Sequence, residues 1–316
     1  MLTLSKHIAE DQAVVSAPVE VVRGLIMDVV GWTQLHDPAV HSEYLERGKN
    51  EDLTQQWSVV DDHTVRSWTA RRWVREQGRE IIFAHEPAKP PFADVRGGWT
   101  LRPQADGSTL VTMHHEFTLL KEGTELAARM VESMRHGSSS YLETLKYAAE
   151  NREELARLII SFEDPLFISG SVEDVYTYLY EADKWPERIP HVARLDMTEE
   201  VPNIQFFDMD TVSSDGSRHT TRSVRICRPH NKIVYKQIQP PKTMVAHTGH
   251  WKFTETPEGV IASARHSATI KPEGLHLLGE GTTVEGARRY LRRILSANSM
   301  GNLRLAKAYA EERASH

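Results

Sequence analysis

Two arginines stand where a strand would carry them inward. The stretch TTRSVRICR, which ends at Arg228 before Pro229, alternates at period two. Thr221, Ser223, Arg225 and Cys227 share one face, and Arg222, Val224, Ile226 and Arg228 share the other. Whichever face turns inward takes a guanidinium with it, and a buried unpaired charge is costly enough to mark a ligand or an ion pair. The stretch WTARRWVR has the same layout, with Trp68, Ala70, Arg72 and Val74 opposite Thr69, Arg71, Trp73 and Arg75. The faces with two arginines are the better solvent faces, so Arg72 and Arg225 are expected to point inward. An arginine stays charged throughout the working pH range. Its chemistry there is therefore stabilisation of negative charge on oxygen and orientation of a carbonyl. Proton transfer needs a group that titrates near neutrality, and His36, His115, His191 and His266 are the candidates. The competing reading for each arginine is a structural salt bridge to a carboxylate, and for each histidine a structural hydrogen bond.

The elements that must position these residues occur twice. SAPVEVV from Ser16 recurs as SGSVEDV from Ser169, Trp32 recurs as Trp185, and Arg72 recurs as Arg225, each 153 positions later. Trp99 and Trp251 stand 152 apart, and His115 and His266 stand 151 apart. A register held by five landmarks is an internal duplication, which sets two domains, 1–153 and 154–316. Each begins with a short strand, Gln12 to Ser16 or Leu166 to Ser169, that leads through Pro18 or Ser171 into a helix. Alternating segments follow, broken by the turn signals Asp106-Gly107, Asp215-Gly216 and Glu258-Gly259. A long helix closes each unit. Its stripe is Leu126, Met130, Met134, Tyr141, Leu145 and Ala148 in the first, and Ala287, Leu291, Ile294, Asn298, Asn302 and Leu305 in the second. The stripes contain polar members, which a helix over dry core rarely has. The pattern is α+β, a curved antiparallel sheet with one long helix across its concave side and a cavity between them.

Bulk properties narrow the function classes. A chain of 316 residues suits two domains with a core each. A net charge of -6 and a pI near 6.2 argue against nucleic acid or an anionic membrane as partner. The single cysteine, Cys227, excludes an intramolecular disulfide framework and reads as a small buried hydrophobe. The N-terminal sequence lacks the layout of a signal peptide and no apolar run is long enough to cross a bilayer, so a cytoplasmic protein is expected. His36, Asp37 and His41 lack a convincing further ligand, so no metal is expected.

The ordered set of motifs resembles a known family. In the second repeat these are Trp185 of KWPERIP, Ser223 and Arg225 as an S-x-R pair, Gly249 and Trp251 as G-x-W, and SMGNLRLAKAYAEER with Asn302. In the first they are SAPVEVV, Trp32, Trp68 and Arg72 of WTARR, PPFADVRGGW and HHEFTL. Each repeat resembles the aromatase/cyclases of bacterial type II polyketide synthases, members of the helix-grip superfamily that also holds START and Bet v 1-like proteins. Spanning the chain twice, the resemblance points to the di-domain subclass. The repeats are not equivalent: Ala70 stands where the family has the serine of S-x-R, Tyr141 where the second repeat has Asn302, and Thr221 where the first has Trp68.

The resemblance implies closure and aromatisation of the first ring, between C7 and C12, of a poly-β-ketone borne by an acyl carrier protein. Such chains come either reduced at C9 or unreduced, and the reduced branch is slightly preferred. No cofactor is implied. The partners implied are the carrier protein, a ketosynthase and, on the reduced branch, a ketoreductase. In this chemistry Arg72 and Arg225 would stabilise developing oxyanions, Ser223 would hold a substrate oxygen or water beside Arg225, and Asn302 would grip a carbonyl from the helix side. Trp32, His36, Trp68, His115, Tyr141, Trp185, His191 and His266 would line the substrate pockets, although core packing is the competing role for Trp32 and Trp185. The alternative function is a non-catalytic carrier or chaperone of an apolar small molecule.

Overall fold

The computed structural model describes residues 5–121, 123–212, 216 and 218–315. The chain divides into two compact units, Met1–Glu153 and Glu154–His316. The first runs β1 (Lys6–Val15), α1 (Val19–Met27), α2 (Trp32–Leu35), β2 (Ala39–Arg47), β3 (Glu51–Asp61), β4 (Thr64–Arg75), β5 (Glu80–His85), β6 (Phe92–Pro103), β7 (Thr109–Leu119) and α3 (Thr124–Glu150). After α4 (Arg152–Leu158) the second runs β8 (Ile159–Ile168), α5 (Val172–Tyr180), α6 (Trp185–Arg188), β9 (Val192–Val201), β10 (Ile204–Val212), β11 (Arg218–Arg228), β12 (Lys232–Gln239), β13 (Met244–Thr256), β14 (Gly259–Ile270) and α7 (Val284–Ala314). Among the described residues each unit holds one seven-stranded antiparallel sheet, ordered β1-β7-β6-β5-β4-β3-β2 and β8-β14-β13-β12-β11-β10-β9. The topology is the same in both. Asp106-Gly107 makes its turn with Gly107 at φ +84, whereas Asp215 lies outside the described residues.

Local chemistry sets the helix starts. The Ser171 hydroxyl accepts from the Asp174 N–H at 3.1 Å and donates to the Asp174 carboxylate at 2.7 Å, a reciprocal N-terminal cap for α5. Thr283 caps α7 through the Gly286 N–H at 3.1 Å. The closing helices bury their apolar stripes on the sheet. In α3, Leu142, Leu145 and Ala149 meet Val15, Ile81, Trp99 and Leu101. In α7, Leu303, Ala306 and Ala310 meet Ile168, Cys227, Ile233 and Trp251. The buried face of α7 also takes in Leu295 and Ser299, while Asn298 of the expected stripe is exposed.

The inward arginines anchor the short helix of each unit. Arg72 on β4 donates from Nη1 to the Ile26 carbonyl at 2.9 Å and from Nη2 to the Met27 carbonyl at 3.2 Å. Arg225 on β11 donates from Nη1 to the Leu179 carbonyl and from Nη2 to the Tyr180 carbonyl, both at 3.0 Å. These carbonyls end α1 and α5, where helical partners run out and the helix dipole favours a cation. The last turns of α1 and α5 contain no basic residue, so the strand supplies the charge.

The expectation that the opposite face of β11 meets solvent is corrected. Val224 and Ile226 are buried, and Arg222 is half-buried, with its Nη1 2.6 Å from Asp208 on β10. A cross-strand carboxylate lets the charge leave water. Cys227 is buried in the core, as a small hydrophobe would be.

Arg72 carries a full ion pair. Its Nε and Nη2 meet the two carboxylate oxygens of Asp52 at 2.8 and 2.7 Å, and both side chains are buried. Removing one partner of a buried bidentate pair strands the other charge, at a cost of about 3–5 kcal/mol. Asp52→Ala is expected to lower the urea-unfolding free energy of the first unit by about that amount. A loss below about 1 kcal/mol would mean the pair is not buried as described.

Candidate functional site

Strand register lays the second unit's candidate side chains out in rungs across the sheet. One rung pairs Gln205, Arg225, Tyr235, Gly249 and His266 on β10 through β14. The next pairs Phe207, Ser223, Gln237 and His247. Ser223 and Arg225 thus adjoin Gln237 and Tyr235 on the neighbouring strand. Gly249 makes one contact possible: a Cβ there would lie 2.3 Å from the Tyr235 hydroxyl and 2.1 Å from the Arg265 carbonyl. Its bare backbone lets the Tyr235 hydroxyl reach His266 Nδ1 at 2.8 Å.

Arg225 differs from Arg72 in its counter-charge. At the position of Asp52 the second unit has Gln205, 153 residues on, and Gln205 directs its amide to Glu199 at 2.7 Å. Arg225 is 1% exposed, its guanidinium carbon lies 5.3 Å from the Trp185 ring and 5.9 Å from Phe207, and its Nε has no partner. Carbonyl dipoles and aromatic faces therefore stand in for a contacting carboxylate. Glu199 supplies charge at one remove. Burial raises its pKa, but hydrogen bonds from Tyr180, Gln205 and the Asn203 N–H, together with the Arg225 charge, bring it below the ordinary value.

Further buried polar atoms of this unit lack partners: Asn302 Oδ1 on α7, Trp185 Nε1, Thr221 Oγ1, Tyr176 Oη and His266 Nε2. Asn302 shares a helix face with Leu305, which packs against the Trp185 cluster. Each such atom costs about 1–3 kcal/mol unless water or a ligand satisfies it. In the first unit only Trp99 Nε1 is in this state among the described residues.

The first unit gathers aromatic rings instead. Tyr141 of α3 stacks on Trp32 with centroids 4.2 Å apart and lies 5.6 Å from Trp99. Trp32 donates to the Leu25 carbonyl, and His36 meets Thr144 at 3.2 Å and the Trp32 ring edge at 5.9 Å. His115 contacts Ser138 of α3 at 3.2 Å and the Phe83 ring at 5.4 Å. Trp68 stacks on His85 at 6.2 Å. An open cleft of about 980 Å³ lies between the start of β1 and the first turns of α3, lined by Ser5, His7, Ala127 and Val131 among others, and none of the expected site residues lines it. His191 stands apart before β9, half-buried, with its pKa lowered by burial.

Proton chemistry follows from burial. His266 and His115 are both pushed down to about 4, chiefly by burial and then by neighbouring cations or imidazoles. His247, which sequence reasoning missed, lies well below the ordinary value for the same reason. All three are neutral at pH 7. Burial raises the phenols of Tyr141 and Tyr235, which stay protonated. His247 had a readable signal, a polar residue where the first repeat has the apolar Val95; Gln237 had none, because its counterpart His85 is also polar.

Residues 6–150 and 168–297 each match a family described as polyketide cyclase / dehydrase and lipid transport. The granaticin polyketide synthase bifunctional cyclase/dehydratase of Streptomyces violaceoruber is 36% identical over 96% of this chain and 94% of its own. The corresponding actinorhodin protein of Streptomyces coelicolor is 36% identical over 93% and 94%. Among solved structures, the di-domain ARO/CYC StfQ from the steffimycin biosynthetic pathway is 54% identical with a TM-score of 0.85, covering 97% of this chain and 99% of its own. BexL, from the BE-7585A pathway, is 35% identical with a TM-score of 0.84, over 96% and 99%.

The depressed histidines have a stability consequence. His85, His115 and His266 each have a folded pKa of about 4, below the ordinary 6.5, so the unfolded chain binds more protons between those values. Their contribution is complete above pH 6.5 and is lost as pH falls toward 4. Each contributes a slope of up to about 1.4 kcal/mol per pH unit. Urea midpoints are expected to drop between pH 6.5 and 5, and flat midpoints across that window would show that these histidines are not buried neutral.

Proposed function

The chain belongs to the polyketide cyclase/dehydrase family, and from that premise we propose that it closes and aromatises the first ring, C7 to C12, of a carrier-bound poly-β-ketone. Numbered from the thioester, odd carbons are carbonyls and even ones methylenes, so C12 is the acidic carbon and C7 the electrophile. His266 Nε2 takes a proton from C12 as the Arg225 guanidinium stabilises the enolate oxygen. The enolate carbon attacks C7, and the new alkoxide receives a proton. Loss of that hydroxyl as water together with one ring proton makes the first ring double bond. Enolisation of the C9 and C11 carbonyls makes the other two, and in a C9-reduced chain loss of the C9 hydroxyl as a second water replaces the C9 enolisation. Positioning one carbon pair and stabilising oxyanion charge in a water-poor site are the main demands. Ser223 and Asn302 hold substrate oxygens from the sheet and helix sides.

One observation carries the reading: the second unit buries donors and acceptors that its own fold leaves unpaired, around an arginine without a contacting carboxylate. A chain with an oxygen on every second carbon supplies partners of both kinds, ketone oxygens for the open donors and enol or hydroxyl groups for the open acceptors. A carrier of an apolar molecule would leave these groups unsatisfied, so the observation favours the enzyme. The same contrast assigns the enolate chemistry to the second unit in this reading. In the first, Asp52 neutralises Arg72 and the stacked Trp32, Tyr141 and Trp99 offer flat surfaces that hold and shape the chain or ring. The acyl carrier protein and ketosynthase are its partners, in the cytoplasm with the rest of the synthase.

A stability and activity pair of measurements tests this. Asn302→Leu and Thr221→Val remove unsatisfied polar atoms, so each is expected to unfold at equal or higher urea concentration than wild type. Each is also expected to lose first-ring product when reconstituted with a minimal polyketide synthase. Arg225→Lys, which lacks the planar fork, is expected to lose about 10²- to 10³-fold in rate, as for an oxyanion donor. Variants that keep full product yield would refute the assignment to the second unit, and unchanged products on adding wild-type protein would return the reading to a carrier.

A further inference from the structure

His266 does not stand alone in the second unit. Its Nδ1 lies 3.1 Å from His247 Nε2, the two rings are stacked with centroids 5.4 Å apart and 17° between planes, and His247 Nδ1 lies 2.7 Å from Gln237 Oε1. The Tyr235 hydroxyl shares His266 Nδ1 at 2.8 Å and reaches the Arg265 carbonyl at 3.4 Å. The far nitrogen, His266 Nε2, is buried without a partner. These contacts connect neighbouring strands: Gln237 pairs with His247 in register, and His266 faces Gly249, one inward position along from His247.

We infer that His247, backed by Gln237, is a positioning residue that holds His266 in the tautomer with the proton on Nδ1, leaving Nε2 as a lone pair. Donor and acceptor balance across the three side chains fixes the tautomer. The Gln237 carbonyl oxygen accepts only, so the facing His247 Nδ1 carries the proton. In a neutral imidazole His247 Nε2 is then an acceptor, and the His266 nitrogen opposite it must donate. The Tyr235 oxygen accepts a share of the same N–H, and its own proton goes to the Arg265 carbonyl. The opposite tautomer sets the lone pairs of His247 Nε2 and His266 Nδ1 against each other, or else crowds two donors onto one lone pair. Burial keeps both rings neutral, which the argument requires.

The relay belongs to one unit. At the positions of Tyr235, Gln237 and His247 the first repeat has Phe83, His85 and Val95, and there His115 Nδ1 turns to Ser138 of the closing helix. A duplicated histidine with an orienting partner in only one copy fits a base in that copy, as the hydrogen bond at one ring nitrogen decides what the other can do. The inference rests on His266 as the proton acceptor for its catalytic meaning, but the tautomer itself does not.

The test reads the tautomer directly. In protein labelled with ¹⁵N-histidine, two-bond ¹H–¹⁵N correlation spectra without substrate are expected to show His266 protonated at Nδ1. His247→Phe keeps a stacked ring but no acceptor, and is expected to move His266 to the Nε2-protonated form. It is also expected to cut the first-ring rate by about the 10²-fold that loss of the base itself costs, with little change in KM. His247→Gln restores an acceptor oxygen and is expected to keep the tautomer and most of the rate. Wild-type His266 protonated at Nε2, or a tautomer unchanged in His247→Phe, overturns the inference. Full activity of His266→Phe, alongside the expected spectra, instead refutes the base assignment and leaves the positioning result intact.

Discussion

Each unit depends on one contact, an arginine in the middle of a strand gripping the last two carbonyls of the short helix that follows the first strand. Arg72 holds α1 and Arg225 holds α5, with the two carbonyls 46 and 45 residues away in both units. The contact satisfies carbonyls that a helix end leaves open, places a cation at the negative end of the helix dipole, and fixes the helix over the concave face. Trp32 and Trp185 follow these helices closely in sequence, so the grip also sets where the two tryptophans stand. The arginines thus serve structure in both units, whatever else Arg225 does.

What separates the units is how that buried charge is balanced. A carboxylate from β3 completes the fork of Arg72, and four hydrogen bonds leave its guanidinium little to offer a ligand. The swap of Asp52 for Gln205 moves the counter-charge outward to Glu199, and leaves Arg225 with a free Nε between aromatic faces. One substitution on a duplicated scaffold therefore turns a sealed ion pair into an electrostatic centre able to meet an oxyanion. The neighbouring rungs follow the same direction, with Ser223 for Ala70, Tyr235 for Phe83 and His247 for Val95. The second unit holds more buried side-chain atoms without a protein partner than the first among the described residues, a cost that water or a ligand with donor and acceptor groups would relieve.

The sequence by itself determined the duplication, the α+β pattern and the inward direction of Arg72 and Arg225, because these rest on alternation along a strand and self-similarity along the chain, which are read without knowing what pairs with what. The resemblance read from Trp185, the S-x-R pair, G-x-W and Asn302 carried the family. The ion pair of Arg72 with Asp52 was open as an alternative but could not be assigned, since the partner lies across a strand pair whose register no local rule supplies. The same holds for His247. Its contact with His266 joins two strands diagonally, and the Tyr235 hydroxyl that shares the same His266 nitrogen fits only because Gly249 has no side chain. The expected solvent face of β11 failed for a related reason, because Asp208 on β10 neutralises Arg222. Only tertiary structure decided which charges are paired and which are left open, because pairing is set by the order and register of strands far apart in sequence.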